Sequence, residues 1–284
     1  MNKHDEKIAE AAKALAALDE KKREYFKGGE YSLPSRARVI ELLNAVRATM
    51  FRGYISADGI TGKNDGECLE YIYELLKEQL TLAQATGCGC SDYDAKEVAE
   101  DIITVIPAIK EALIKDAQAI YVGDPAAVCA EEVILTYPGF TAISIYRIAH
   151  ELYIRKIPYL PRIMTEYAHE ITGVDIHAGA TIGEYFFIDH GTGIVIGETT
   201  TIGDRVKIYQ GVTLGAKSFE LDEDGNPVKG TKRHPDIGNG VIVYANATIL
   251  GGKTKIGDGA VIGANVWLTS SVAAGETIYY TQTK

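Results

Sequence analysis

The chain has 284 residues, 46% of them hydrophobic and 24% charged, and a formal net charge of −10 at pH 7. This composition is typical of a globular protein with one large core or two smaller ones. The acidic excess argues against a protein that binds a nucleic-acid backbone, and no apolar run approaches the ~18 residues that span a bilayer. Neither a nucleic acid nor a membrane is expected as a partner.

The amino terminus leads into an Ala-rich helical pattern rather than a secretory signal. Four cysteines are few for this length and suit a reducing compartment, so a cytoplasmic protein is expected. Cys88-Gly89-Cys90 has neither a second cysteine pair nor a nearby histidine. Free thiols are therefore predicted there, and no metal site.

The first part of the chain shows helical apolar spacing. After a start signal at Ser32–Pro34–Ser35, three stripes recur at helical intervals: Ile40, Leu43, Val46, Met50; Leu69, Ile72, Leu75, Leu76, Leu80; and Ile102, Val105, Ile109, Leu113. Asp124-Pro125 predicts an N-cap followed by a proline at the first helical position, and Pro138-Gly139 predicts the end of that helix. Two further helices follow, from Phe140 to about Arg155 and from Pro161 to about Ile171, with Gly173 as the C-terminal cap. An α-helical domain over residues 1–172 is predicted.

After Gly173 the period changes to six. Aliphatic residues recur at Ile176, Ile182, Ile188, then Ile196, Ile202, Ile208, Leu214, then Ile237, Val243, Ile249, and finally Ile256, Ile262, Leu268. This hexapeptide pattern is typical of a parallel β-helix, in which three six-residue sides form each triangular coil. The fold class predicted is α+β, with residues 173–284 as the β-helix domain.

One stretch, residues 216–235, breaks the period and is polar and rich in turn residues. On a coiled solenoid such an insertion projects as a loop, either as part of a site or as a tolerated surface excursion. Nine Lys/Arg and eight Asp/Glu lie from Thr201 onward, so the excess of negative charge belongs to residues 1–200. A polyanionic small molecule is therefore expected to bind in the last third of the chain.

Polar residues interrupt the coils at three places: Asp175-Ile176-His177, Asp189-His190-Gly191-Thr192-Gly193 and Arg233-His234-Pro235. The segments VDIHAGATIG, IDHGTGIVIGET, YQGVTLGA and KRHPDIG closely resemble serine O-acetyltransferase, and so does GDPAAV…YPGFTAISIYRIAHELY. The resemblance runs from about Gly123 to Leu268. It implies a left-handed β-helix acyltransferase that moves an acetyl group from acetyl-CoA to the hydroxyl of L-serine. The products are O-acetylserine and CoA, in the first step of cysteine biosynthesis.

The resemblance implies that His190 and Asp175 are catalytic. A serine hydroxyl is scarcely ionised near neutral pH, so transfer of an acetyl group to it needs a base. A neutral imidazole oriented by a carboxylate is suited to this role. The residues alone also allow His190 to be a turn histidine bonded to backbone. His177 receives no role, and core or surface positions are expected for His150 and His169.

The resemblance also implies a clamp for the amino-acid acceptor, made of Arg233, Asp124 and Asp189 with His234 alongside. A guanidinium binds a carboxylate through two hydrogen bonds, and carboxylates hold an ammonium group. The same clamp would hold cysteine, so cysteine is expected to compete with serine as a feedback inhibitor. Asp124 has the rival explanation that it is only a helix cap.

For acetyl-CoA, the resemblance implies a groove along Gly215, Ala216, Ala245 and Ala264, where small residues allow close backbone approach. Lys217 is the predicted phosphate contact, with Lys229, Lys232, Lys253 and Lys255 nearby. The chain departs from commoner members at Ala216, where they have glycine, and in its longer, more acidic loop. No metal is expected in the reaction.

Members of this family form homotrimers with active sites between neighbouring β-helices, and often pair two trimers through the helical domain. In many of them, a tail that ends in isoleucine enters the active site of O-acetylserine sulfhydrylase. Here the sequence ends Thr281-Gln282-Thr283-Lys284, and a terminal lysine does not suit such a pocket. A stable complex with the sulfhydrylase is therefore not expected.

Three rival functions remain open from the residues. An acetyltransferase for a sugar or an antibiotic would not need the clamp of Arg233, Asp124 and Asp189. A β-helix carbonic anhydrase would need a closely spaced histidine pair of the form H-x4-H, which the sequence lacks. A scaffold without catalytic activity would leave Asp175, His190 and Arg233 unexplained.

Overall fold

In the computed structural model of the chain, residues 3–22, 33–86 and 92–280 are described. Within these ranges the first part of the chain is helical: α1 Lys3–Lys22, α2 Arg36–Met50, α3 Asp65–Ala85, α4 Ala95–Gly123, α5 Ala130–Thr136, α6 Pro138–Ile154 and α7 Leu160–Thr172. This confirms the predicted helical region. The predictions for Ser32, for Cys88-Gly89-Cys90 and for residues 281–284 lie outside the described residues.

Side chains cap several of these helices. Asn64 forms a capping box with Glu67, in which each side chain accepts a hydrogen bond from the other's backbone N–H at 3.0 and 2.8 Å. Gly173 ends α7 with φ +70°, which confirms its predicted role because glycine adopts this left-handed conformation without a Cβ clash.

The segment around Asp124 differs from the prediction. Asp124 does not begin a helix, because its backbone N–H donates to the carbonyl of Ile120 at 2.9 Å and so closes α4. Its Oδ1 accepts the N–H of Ala126 at 2.8 Å, and the next helix begins only at Ala130. Pro138 does mark a boundary, but as the first residue of α6, where a proline loses no helical hydrogen bond. Residues such as Asp124 and Pro138 therefore mark a helix boundary in the sequence, but they do not show whether the helix lies before or after them.

The second part of the chain consists of short parallel strands. They are β1 Asp175–Ile176, β2 Thr181–Ile182, β3 Phe187–Asp189, β4 Val195–Ile196, β5 Thr201–Ile202, β6 Lys207–Tyr209, β7 Thr213–Gly215, β8 Asp236–Ile237, β9 Ile242–Val243, β10 Thr248–Leu250, β11 Lys255–Ile256, β12 Val261–Ile262, β13 Trp267–Leu268 and β14 Thr277–Ile278. Sheet A has the order β1-β4-β7-β10-β13, sheet B the order β2-β5-β8-β11, and sheet C the order β3-β6-β9-β12-β14. These three sheets are the sides of a parallel β-helix, as predicted.

The period of six follows from this geometry. Each coil presents one inward aliphatic side chain per side, and equivalent residues pair across coils, as Ile188 does with Ile208 and Ile208 with Val243. The predicted aliphatic residues are buried, except Leu268 at the end of the stack, which is half-buried. The hydrophobic core of the domain is therefore a continuous column of these residues.

Two edges of the triangular prism matter below. The A–B corner is the set of turns that lead from sheet A to sheet B: residues 177–180, 197–200, 216–235 and 251–254. The C–A corner is the set that leads from sheet C to sheet A: residues 190–194, 210–212, 244–247 and 263–266. The predicted projecting loop, 216–235, is the long turn of the A–B corner, and residues 217–230 in it are exposed.

Helix α6 contacts the first coil of the β-helix through side-chain hydrogen bonds. Tyr146 donates to the carbonyl of Ala180, and Arg147 donates to the carbonyl of Gly183 at 2.7 Å. Arg147 also pairs with the fully buried carboxylate of Asp116 at 2.6 Å. Asp116 in turn accepts the N–H of Phe186 at 2.9 Å, so α4 and α6 together cover the open end of the β-helix and satisfy its backbone groups.

Candidate functional site

His190 stands on the C–A corner, directly after β3. Its φ of +56° places it in the left-handed region, which turns its side chain outward, and that side chain is 71% exposed. Oδ1 of the half-buried Asp189 lies 3.8 Å from Nδ1 of the ring. An exposed imidazole with a carboxylate on one side has the form of a general base that an incoming substrate can reach.

Asp124 lies close enough to this corner for the charge of a protonated His190 to act on its carboxyl. Tyr137 donates its hydroxyl to Oδ2 of Asp124 at 2.7 Å, and this bond and that from the N–H of Ala126 lower the pKa of Asp124. The same contact raises the pKa of Tyr137 to about 12. Tyr137 therefore remains a donor and Asp124 a carboxylate.

Asp175 begins β1, next to the same corner, and its backbone N–H donates to Ile194 at 2.9 Å. Among the described residues no hydrogen bond or ion pair joins Asp175 to His190. Its charge acts instead on His177. The pairing of Asp175 with His190 therefore stays a prediction. The carboxylate observed near the His190 ring is that of Asp189, at 3.8 Å.

Arg233 and His234 lie on the A–B corner, where the projecting loop returns to the β-helix. Both backbone N–H groups donate to the hydroxyl of Thr199, at 3.0 and 3.1 Å. Lys232 donates to the carbonyl of Thr199 and to Asp236, each at 2.5 Å. One threonine and one lysine therefore fix the end of an otherwise exposed loop.

The guanidinium of Arg233 has a carboxylate partner that sequence reasoning missed. Glu198 pairs with Arg233 and accepts the hydroxyl of Tyr153, from helix α6, at 2.6 Å. Burial opposes ionisation of Glu198, but the hydrogen bonds from Tyr153 and Arg233 outweigh it and lower the pKa of this carboxyl. Tyr153 of the helical region thereby orients Arg233 through Glu198. The signal in the sequence that could have revealed this contact is the charged Glu198 at the end of the hexapeptide segment IVIGE.

Both histidines of this corner are held neutral. Burial, followed by the charge of Arg233, lowers the pKa of His234 to about 4. Burial also lowers the pKa of His177, whose Nδ1 accepts the N–H of Gly179 at 3.0 Å and whose ring packs edge-on against Tyr153. His177 thus has a structural explanation that the sequence did not provide.

The lowered pKa of His234 predicts loss of stability in weak acid. Once unfolded, the imidazole regains its ordinary value of 6.5 and takes up a proton first, so stability is lost as the pH falls from about 6.5 towards about 4. His234→Gln removes this titration. Melting curves at pH 7, 6 and 5 should therefore show a smaller fall of Tm in the variant than in the wild type. Parallel curves for the two proteins would contradict the assignment.

The residues predicted for the cofactor fall on both corners. Gly215 ends β7, and Ala216 and Lys217 follow it on the A–B corner, whereas Ala245 follows β9 and Ala264 follows β12 on the C–A corner. Lys217 lines a cavity of about 440 Å³ at the base of the projecting loop, together with Thr231, Lys232, Arg233, Gly251, Gly252 and Lys253. Lys232 and Arg233 are paired with Asp236 and Glu198, and Glu220 also lines the cavity, which leaves Lys217 and Lys253 for the phosphates of a polyanionic molecule.

The predicted site residues thus form two sets within one chain. Asp124, Asp189 and His190 meet at the C–A corner, whereas Arg233 and His234 meet at the A–B corner. The whole width of sheet A separates the corners, and no described hydrogen bond or ion pair joins the two sets.

The described residues contain neither a candidate metal site nor a helix that could span a membrane. No cluster of three or more His, Cys, Asp or Glu side chains has an arrangement that could hold a metal ion. None of the described helices is long and apolar enough to cross a membrane.

Comparisons with known proteins agree on one family. The chain is 44% identical over 267 residues to a plasmid-encoded serine acetyltransferase of Synechococcus elongatus. The alignment covers 89% of this chain and 83% of that protein. The crystal structure of Entamoeba histolytica serine acetyltransferase 1 in complex with L-cysteine matches with a TM-score of 0.73 and 37% identity, over 84% of this chain and 86% of that one. The serine complex of the Neisseria gonorrhoeae serine acetyltransferase matches with a TM-score of 0.58 and 28% identity, over 86% and 96%. No family model matches the chain.

Proposed function

The chain belongs to the serine acetyltransferase family, and we propose that its two corners bind and activate serine for acetyl transfer. The reaction converts L-serine and acetyl-CoA to O-acetylserine and CoA, the first step of cysteine biosynthesis. The observation that carries the assignment of residues is the placement of a reachable histidine beside two carboxylates at one corner, and of an oriented arginine at the next.

His190 is the general base of this proposal. It accepts the proton of the serine hydroxyl as the oxygen attacks, and a carboxylate near Nδ1 leaves Nε2 to receive that proton. Asp189 is 3.8 Å from Nδ1, and Asp175 is the partner that the resemblance implies.

The acceptor's charged groups are divided between the corners. The carboxylates of Asp124 and Asp189 hold the ammonium group, and the guanidinium of Arg233 holds the carboxylate, with His234 beside it. Tyr137 keeps Asp124 ionised and turned towards this corner through its 2.7 Å hydrogen bond. Specificity for an amino acid follows, because a sugar hydroxyl brings neither charge.

The active unit of this proposal is a homotrimer, in which the C–A corner of one subunit faces the A–B corner of the next. Cyclic symmetry then repeats the same pairing at each interface. The support is the separation of His190 from Arg233 within a single chain. A dimer of trimers is a further step, for which the long helical region would supply the contact.

Acetyl-CoA fits the cationic cavity below the projecting loop, where Lys217 and Lys253 would meet its phosphates. Gly215 and Ala216 on one side, and Ala245 and Ala264 on the other, leave room for its chain beside the backbone. When bound, it supplies the acetyl group as a thioester. The residues that hold it lie next to Arg233, so both substrates are bound at one interface.

The direct experiment is an assay of free CoA release with a panel of amino acids and sugars. L-Serine should be the preferred acceptor, and cysteine should inhibit competitively against it, since it carries the same ammonium and carboxylate. Preference for a sugar or an antibiotic would favour the rival acetyltransferase. No CoA release with any acceptor would contradict the proposal.

Arg233→Lys should raise the KM for serine about 10-fold or more while it leaves the KM for acetyl-CoA nearly unchanged. Lysine keeps the charge but loses the planar, two-bond geometry, and a hydrogen bond to a charged group contributes about 1.5–3 kcal/mol. Steady-state kinetics with each substrate varied in turn give both constants. Equal changes in the two would place Arg233 in the CoA site instead.

A further inference from the structure

The hydroxyl of Thr199 is the centre of the A–B corner. It accepts the N–H groups of Arg233 and His234, and it lies 2.9 Å from Nδ1 of the His234 ring. Two accepted bonds occupy both lone pairs of a hydroxyl oxygen, so its remaining role towards Nδ1 is that of donor. The ring nitrogen must therefore be an acceptor.

A second contact gives the same result independently. The backbone N–H of Thr199 donates to Nδ1 of His234 at 3.1 Å, and a backbone N–H is never an acceptor. Nδ1 consequently has no hydrogen. In neutral imidazole the hydrogen then resides on Nε2, so the tautomer of His234 is set by Thr199 alone.

The orientation of the ring is fixed as well. It lies against the backbone of Gly197, and a Cβ added at that glycine would overlap Cδ2 and Nε2 of His234. The ring is buried, with 7% of the residue exposed. Nε2–H therefore has one defined direction rather than a choice of rotamers.

The charges around His234 favour the neutral ring. Arg233, Lys232 and His177 disfavour a second cation, Glu198 favours one, and burial disfavours it most, so that the pKa falls to about 4. A ring with this pKa is neutral near neutral pH and keeps one N–H as a hydrogen-bond donor. The corner therefore holds two donors from adjacent residues, the guanidinium of Arg233 and the neutral N–H of His234.

We propose that Thr199 is a positioning residue that holds His234 as a neutral Nε2–H donor, and that this donor completes, beside Arg233, the site for the serine carboxylate. The proposal rests on the proposed function for the identity of the ligand. The tautomer does not depend on it, because it follows from contacts within the free chain. His190 keeps the role of general base that the proposed function gives it, and His234 acts as a donor.

The kinetic test uses Thr199→Val, which keeps the shape of the side chain and removes the hydroxyl. The KM for serine should rise about 10-fold or more, because a charge-assisted hydrogen bond loses its orientation. The KM for acetyl-CoA should change less than about twofold. Thr199→Ser restores the hydroxyl and should return the serine KM towards the wild-type value. Thr201→Val, an exposed position on β5, is the matched control and should change neither constant.

A serine KM that stays within about twofold in Thr199→Val, or that rises equally with the KM for acetyl-CoA, would overturn the positioning role. So would a failure of Thr199→Ser to restore it. Circular dichroism and melting curves of each variant show whether the fold is kept, and direct observation of the tautomer in the wild-type protein keeps the proposal testable if the valine variant unfolds.

The second test observes the tautomer directly. Protein labelled with 15N in its histidine rings should show His234 with an unprotonated Nδ1 and a protonated Nε2 from about pH 8 to 5.5, and the signal is assigned by its loss in His234→Gln. A protonated Nδ1, or a ring that carries both hydrogens at neutral pH, would overturn the proposal. If this spectrum is found but no CoA is released with serine, the proposed function fails and the tautomer assignment stands.

Discussion

Replacement of His190 by alanine is expected to lower turnover at least about 100-fold, because a positioned general base typically contributes 10²–10⁴-fold to a rate. The protein should stay folded, since the His190 side chain is 71% exposed and makes no core contact. The measurement is CoA release at saturating serine and acetyl-CoA. A variant that keeps more than half of the wild-type rate would remove His190 from the mechanism.

Two controls make this result specific. His190 has φ +56°, a conformation that asparagine adopts more readily than alanine, so His190→Asn should lose the same activity with less effect on the backbone. His169→Ala removes an exposed histidine from the end of α7 and should leave the rate unchanged. Equal losses in His169→Ala would show a general effect on the fold rather than on the base.

Co-expression of two inactive variants, His190→Ala and Arg233→Ala, should restore activity in mixed trimers. Each site of the proposed trimer takes its C–A corner from one subunit and its A–B corner from the next. A random equal mixture should therefore recover roughly one quarter of the wild-type activity, since that fraction of interfaces joins an intact His190 to an intact Arg233. The two variants carry different affinity tags, and the mixed trimers isolated by two successive columns should reach roughly one third, because one of the three interfaces in each is complete.

The matched control combines His190→Ala with Asp189→Ala. Both residues lie on the C–A corner, so no interface of a mixed trimer gains a complete set, and activity should stay low. Restoration in this control, or none in the first mixture, would contradict a site shared between the two corners of neighbouring chains.

Much of the fold was determined by the sequence itself. The aliphatic period of six predicted the β-helix because each coil repeats the same three sides, and an inward residue is required on every one of them. Gly173 was predicted as the end of α7 because the left-handed conformation at that position favours glycine. The loop 216–235 was predicted from the interruption of the period. These features depend on neighbours along the chain, so local pattern is sufficient to find them.

The candidate site was only partly predictable. His190, Arg233, Asp124 and Asp189 were found through short motifs, but the sequence did not show that they lie on two different corners of the prism. That separation depends on how many residues the chain uses to complete each coil, and therefore on the register of all strands together.

Only the tertiary structure revealed the residues that orient the site. Tyr153 reaches Glu198 across 45 positions of sequence, and Thr199 reaches His234 across 35. The position of Asp124 at the end of α4, rather than at the start of a helix, likewise became clear only in the structure, where its backbone N–H bonds to Ile120. Hydrogen bonds between distant side chains leave no periodic signal in the sequence, because they exist only once helix α6 and successive coils are packed against one another.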